Sequence, residues 1–216
     1  MRYLHFADNQ EEVKDKNSPN YDKLFKVRKL LDLLPPRFLE VYNPERNLSI
    51  DGTLTKFNGK ISFHQFIPIK PGRFGFKFFT LAEESSGYGL VRKVYTGNGN
   101  RVIQTDLDRK SVMGLMEAFF DKGCKLYMDN YYTSVPLFED LTRLATLACG
   151  TVRSNRKGLP RDISDVHNKE IKGLKRGQSV YRQKDTIPCV VWKDSKMVYM
   201  LATTPVKPPC NSEVER

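Results

Sequence analysis

Two aspartates, Asp51 and Asp129, end apolar runs that read as buried strands: Leu48-Ser49-Ile50-Asp51 and Lys125-Leu126-Tyr127-Met128-Asp129. A carboxylate at the tip of a buried strand is a poor packing choice, but its hard oxygens suit a divalent cation. Converging carboxylates can hold ions for phosphoryl transfer, one ion activating an attacking hydroxyl and a second stabilising the leaving oxygen. The pair is 78 positions apart, so only a sheet can bring the two together, and adjacent parallel strands would do so. Turn and cap roles are the commoner use of Asp, and the residues alone leave both readings open.

Other chemistry-bearing residues carry weaker signals. His64 lies in a strand-like run with no partner His or Ser motif and reads as structural. The Gly97-Asn98-Gly99-Asn100 loop has no Lys-Ser/Thr after it and reads as a turn rather than a phosphate cradle. Asp194, inside Lys193-Asp194-Ser195-Lys196, is adequately explained as a turn residue. Trp192 reads as a core or hairpin aromatic. Cys124, Cys149, Cys189 and Cys210 form no Cys-x-x-Cys pair, so buried free thiols are expected rather than a zinc site or a disulfide framework.

The elements that must position Asp51 and Asp129 follow from patterning. Leu24, Val27, Leu31 and Leu34 recur at helical spacing, and Pro35-Pro36 should stop that helix. Short β-rich runs follow at 48–51, 61–68, 75–81 and 90–95, with Phe63, Gln65 and Ile67 suggesting one face of the second. Residues 111–120 read as a helix capped by Ser111, and residues 134–147 as another with a weak stop. Residues 148–152 read as a strand, and 187–192 with 197–202 as a hairpin.

The chain has 216 residues, enough for one good core or a core with an appendage, and its 39% hydrophobic and 11% aromatic content excludes a wholly disordered chain. Its net charge is +11, the balance of a protein that meets phosphate backbones. Residues 153–184 hold ten basic and three acidic side chains. That clustering points to salt-sensitive, weakly sequence-selective DNA contact through Arg153, Arg156, Lys157, Arg161, Lys172, Lys175 and Arg176. No apolar run approaches the roughly 20 residues that span a bilayer, and Met1-Arg2-Tyr3-Leu4-His5 lacks a signal-peptide core, so no membrane partner and an intracellular protein are expected.

The continuation of the Asp129 run through Asn130-Tyr131-Tyr132-Thr133-Ser134-Val135-Pro136-Leu137, and the segment Cys149-Gly150-Thr151-Val152-Arg153-Ser154-Asn155-Arg156-Lys157-Gly158-Leu159-Pro160, resemble the catalytic core of piggyBac-type DNA transposases. The resemblance extends back through Lys70-Pro71-Gly72-Arg73-Phe74-Gly75-Phe76-Lys77 and Tyr21-Asp22-Lys23-Leu24-Phe25 to Tyr3-Leu4-His5-Phe6, and fades after Thr204. It implies an α+β fold: an incomplete RNase H-like core, a mixed sheet with helices, over 47–153. An N-terminal helical segment over 1–46, part of a dimerisation or DNA-binding region, would precede it. A basic insertion subdomain with a β-hairpin would follow over 154–216.

It further implies that Asp51 and Asp129 are the first two of three metal-ligating catalytic aspartates, holding Mg²⁺ or Mn²⁺ if the site functions. A third, downstream in the family, is not matched before Arg216, and Gly52 stands where the family usually carries an acid. The implied protein is a transposase-derived, nuclear DNA-binding remnant without autonomous activity and with vestigial aspartates, able to pair with itself or with a full-length relative. The alternatives are part of an active cut-and-paste enzyme, or a non-enzymatic interaction module.

Overall fold

The computed structural model describes residues 5–68, 70–97, 107–165, 167–184 and 187–203. The chain forms two compact units, Met1–Pro44 with Asp51–Leu107, and Glu45–Ile50 with Asp108–Arg216.

In the first unit, Asp22 starts the helix that the apolar spacing predicts. Its Oδ1 accepts from Leu24 N at 2.9 Å, and both carboxylate oxygens take the Arg28 fork at 2.7 and 2.8 Å. The Arg28 hydrogen bond holds the Asp22 carboxyl below the usual carboxylate range despite partial burial. Helix α1 (Phe25–Val41) does not stop at Pro35-Pro36 but carries both prolines inside it. Two missing N–H groups work against such continuity. The far end is instead anchored by tertiary contact: Tyr42 stacks on Tyr88 at 4.2 Å, and its hydroxyl donates to Glu83 Oε2 at 2.5 Å. Of the apolar stripe, Leu24 is buried, whereas Val27 and Leu34 are more than a third exposed.

Strand β1 (Asn47–Lys56) contributes its residues from Asp51 onward to this unit, beside β3 (Phe74–Glu83). β3 pairs antiparallel with β2 (Gln65–Phe66) and with β4 (Gly89–Val94), the latter with a register shift at Leu81/Ala82. The strand expected over 61–68 shrinks to the two residues of β2. Phe63 is buried, but it lies in a turn, and the Gln65 amide donates to the Phe63 and His64 carbonyls, local bonding that competes with a ladder.

The second unit has strand order β1-β5-β6-β9-β8-β7, with β5 (Lys125–Met128), β6 (Leu147–Thr151), β7 (Ser179–Lys184), β8 (Ile187–Lys193) and β9 (Met197–Ala202). β1, β5 and β6 run parallel; β9, β8 and β7 complete the sheet antiparallel. One face buries Leu48, Ile50, Leu126, Val191 and Leu201, and the unit's helices bury Val112, Leu115, Leu137, Phe138 and Leu141. Parallel strands need such cover.

Helix α2 (Leu107–Met116) begins four residues before Ser111, which therefore lies inside it rather than capping it, and a 3-10 turn follows at Glu117–Phe119. Helix α3 (Val135–Arg143) stops earlier than expected. The Leu144 N–H is shared among the Asp140, Leu141 and Thr142 carbonyls, and Ala145 turns left-handed at φ 48°, freeing Leu147 to start β6. The expected hairpin is present as β8 and β9, with β9 paired to β6, so it extends this unit's sheet. β7 and the short helices α4 (Arg161–Ser164) and α5 (Lys169–Lys172) were not foreseen from the sequence.

Candidate functional site

The parallel register pairs Leu48 with Leu126 and Ile50 with Met128, all four buried. The next residue of each chain segment is an aspartate, and both are exposed. Asp129 follows the end of β5, but Asp51 does not end its strand as the pattern suggested, because β1 continues to Lys56 beside β3. Side chains alternate along a strand, so Asp51 leaves the buried Leu48–Ile50 face and sits with Ser49. Its Oδ1 accepts from Gly52 N at 2.6 Å.

Asp129 is held more elaborately. Its Oδ1 accepts from Tyr131 N at 2.9 Å, and its carbonyl accepts from Thr133 N at 3.2 Å and Thr133 Oγ1 at 2.8 Å. These bonds wind residues 129–134 tightly into α3. Tyr132 and Thr133 are buried beneath the turn, so Tyr132 is a core residue. In β6, the Met128 partner is Gly150. A Cβ there would lie 2.3 Å from Thr133 Oγ1 and 2.6 Å from the Met128 carbonyl oxygen. Only glycine lets β6, the end of β5 and the turn close together.

Arg156 completes this support. Its Nη2 donates to the Tyr131 carbonyl, lies 3.4 Å from the Asn130 carbonyl and pairs with Asp108 of α2 at 3.2 Å. Its Nε is buried with no hydrogen-bond partner among the described residues. The neighbouring Arg109 bridges α2 to Asp140 of α3, through Nε at 2.6 Å. Arg156 was expected to face DNA, but the structure ties its guanidinium to the turn after Asp129. The sequence offered no sign of this, because the acid that meets it stands 48 positions away.

The other basic candidates differ. Lys157, Arg161, Lys172 and Lys175 are exposed; Arg153 is exposed and touches Asn130 Oδ1 at 3.5 Å; Arg176 pairs with Asp194 at 3.1 Å. Two of the three acids in this segment, Asp162 and Glu170, are bound by Arg182 at 2.5 Å each. Those partners raise the Arg182 pKa, the Asp162 hydrogen bond most.

Asp194 lies in the β8–β9 turn. Met200 is level with Thr151, so Asp194 is two strand spacings and at least three residues of rise from Asp129, ~14 Å or more. Burial raises the thiol pKa values of Cys124 and Cys149 and pushes Cys189 up to about 12; these three are free cysteines. Cys210, Asn98, Gly99 and Asn100 lie outside the described residues.

As metal ligands, Asp51 and Asp129 are hard-oxygen donors of the kind Mg²⁺ and Mn²⁺ take. Each has one carboxylate oxygen without a hydrogen bond among the described residues. Among those residues no three His, Cys, Asp or Glu side chains gather as a metal site, so the donor set fits an ion in type and falls short in number. No described helix is long and apolar enough to cross a membrane.

The transposase family described as Transposase IS4 matches residues 1–215. Human PiggyBac transposable element-derived protein 3 is 30% identical over 202 residues, 90% of this chain and 32% of that protein. The human chimeric ERCC6-PGBD3 protein is likewise 30% identical over 202 residues, 90% of this chain and 18% of its own length. The chain thus spans about a third or less of these curated relatives. Among solved structures, the piggyBac transposase of a synaptic complex with hairpin DNA superposes with a TM-score of 0.84 at 26% identity, over 98% of this chain and 43% of that one. Transposases of this family generally use divalent metal ions. With its mixed α+β sheet and a family match over residues 1–215, the chain belongs to the Transposase IS4 family and is similar to its piggyBac-type members.

Proposed function

We propose that this chain is a piggyBac-derived, DNA-binding transposase scaffold that does not cut and join DNA on its own. The observation that carries the reading is the β1–β5 register, whose last buried parallel pair, Ile50 and Met128, is followed on each side by an aspartate. Asp51 and Asp129 are the residues that would hold a divalent ion, and such an ion would activate the attacking hydroxyl and stabilise the leaving oxygen. With no third acidic, His or Cys side chain gathered beside them among the described residues, and Gly52 next to Asp51, the ion would be loosely placed. In-line attack is sensitive to ångström errors, which can cost about a hundredfold in rate.

DNA contact falls to the exposed cations of residues 153–176, without Arg156. The partner named with the structural relative, hairpin DNA in a synaptic complex, supports that assignment. The nucleus is the compartment this partner implies.

Anisotropy titrations of duplex DNA over a salt series test the DNA-binding part. Replacing Arg153, Lys157, Arg161 and Lys172 with alanine should reduce the log–log salt slope by about 3–4. An unchanged slope and affinity would leave the segment a solvated surface. Strand-cleavage assays with Mg²⁺ or Mn²⁺ test the rest. Cleavage above background that both Asp51→Ala and Asp129→Ala abolish would make the chain part of an active enzyme.

A docking role is favoured by a different feature, the sheet face of the second unit opposite its buried one. Register places Tyr127 and Trp192, 38% and 42% exposed, on that face. Self-association lost on Trp192→Ser would support this second reading.

A further inference from the structure

Residues 52–82 of the first unit hold Lys56, Lys60, Lys70, Arg73 and Lys77 and no acidic residue. At the frequency of acids in the chain as a whole, about three or four would be expected. The β2–β3 hairpin lies in this acid-free stretch and exposes aromatic surface. Phe66 and Phe74 are register partners with ring centroids 4.5 Å apart, and they are 56% and 49% exposed. The His64 ring stacks on Phe74 at 5.6 Å and 11°, held by the Phe57 carbonyl at 2.7 Å from Nε2.

A cross-strand aromatic pair gains about 0.5–1.5 kcal/mol from its own contact, yet half of each ring still faces water. The turn of this hairpin closes with Arg73 N donating to the Lys70 carbonyl at 3.0 Å, and Arg73 itself is left-handed at φ 44°. Glycine occupies that conformation freely, whereas arginine pays roughly 1–2 kcal/mol there. A cleft of about 470 Å³, lined by Gly59, Lys60, Ile61, Ser62 and His64, adjoins the ring cluster through His64.

We propose that the β2–β3 hairpin is a second nucleic-acid contact, in which Phe66 and Phe74 stack on unpaired bases and Lys60, Lys70 and Arg73 face the phosphates. The charge selects the partner class: an acid-free basic surface complements a phosphate chain. The rings select the strand state, because a base offers its face to a side chain only when it is unstacked from its neighbours. Lys77 is left out of the set because its ammonium lies over the Phe79 ring at 4.7 Å and the Tyr95 ring at 5.5 Å. The proposal rests on the reading that the chain meets DNA, but it uses a surface of the first unit that shares no residue with the basic segment of the second.

The test uses the full chain with three probes of one sequence: a single strand, a blunt duplex, and a duplex with a 3′ overhang carrying 2-aminopurine. The parent should bind the single strand and quench the overhang fluorophore. Phe66→Leu with Phe74→Leu should lose about ten- to hundredfold in single-strand affinity and abolish the quench, with blunt-duplex affinity within twofold of the parent. Phe66→Tyr with Phe74→Tyr keeps the rings and should retain both signals, whatever the leucine pair does to folding.

The quadruple alanine variant of the basic segment should show the reverse pattern, weakened on blunt duplex with the quench kept. Intact quenching in the leucine pair, equal losses on all probes, or loss of quenching in the tyrosine pair overturns the proposal. In each of those cases salt-dependent duplex binding through the basic segment still stands. A parent that binds no DNA probe sinks both readings.

Discussion

The two aspartates, Asp51 within β1 and Asp129 just past the end of β5, are supported unequally. Asp129 is fixed by an Asx bond to Tyr131, two bonds from Thr133 to its carbonyl, the glycine contact at Gly150 and the Arg156 grip on residues 130 and 131. Asp51 has one short bond to the next residue and a glycine after it. Each unit also has a glycine against its carboxylate strand, but at different depths. A Cβ on Gly75 would lie 1.9 Å from the Thr55 carbonyl oxygen, well past Asp51, whereas Gly150 abuts Met128, immediately before Asp129. A metal ligand needs its oxygens held still by surrounding bonds; one of these two has that shell and the other does not.

The largest effects should come from the glycines. Gly75→Ala and Gly150→Ala each force a methyl into a backbone oxygen and should cost about 3 kcal/mol or more, read by thermal denaturation. Only Gly150→Ala should also raise amide exchange across residues 129–133. Equal exchange there in both variants would erase the contrast between the two supports.

Next is Arg156→Ala, which strips a charged donor from two carbonyls and leaves Asp108 without that partner. About 2 kcal/mol is expected, and Arg156→Lys should recover little, because an ammonium cannot reproduce the planar fork. Full recovery by lysine would mean that charge alone, not geometry, holds the turn.

Smaller again is Asp22→Asn, about 1 kcal/mol or less because the Arg28–Asp22 pair is partly solvated, 43% and 30% exposed. Asp22 titrates lower in the folded chain than in the unfolded one. Its contribution should therefore be complete above its ordinary carboxylate range and vanish as pH falls through the depressed folded value. A parent-minus-variant stability difference that grows toward low pH would contradict this. Last, Cys189, with its thiol pushed up to about 12, should resist alkylation at pH 8 until the second unit unfolds. Prompt modification of the native chain would show that its burial is not maintained.

Much of this arrangement was legible in the residues. The Leu126 and Met128 alternation with Asp129 after it gave the carboxylate strand, and the apolar runs on either side of Lys193-Asp194-Ser195-Lys196 gave the β8–β9 hairpin, because period-two patterning survives wherever one face is buried. What escaped depended on distant partners. Pro35-Pro36 argued for a helix stop, and only the Tyr42–Tyr88 stack shows why α1 continues. Ser179-Val180-Tyr181-Arg182 looked polar because Arg182 faces Asp162 and Glu170, so β7 was hidden by an ion-pair cluster. Arg156 read as one more cation in a basic run, and nothing local revealed that Asp108 and the Tyr131 carbonyl would claim it.

The division of β1 has a consequence for how the chain acquires its structure. The second unit draws residues 45–50 from early in the sequence and pairs them, in parallel, with β5, so that Asn47 meets Lys125. All of residues 51–107 must therefore be synthesised before that unit can close its sheet, whereas the first unit has its parts earlier. Closing a long flexible loop costs only about 0.6 kcal/mol more per doubling of its length, but pairing so remote in sequence slows the search. If the hairpins of the first unit form while the ribosome is still extending the chain, they shorten that loop in advance. The strand bearing Asp51 would then wait, partly made, for the strand bearing Asp129 to arrive.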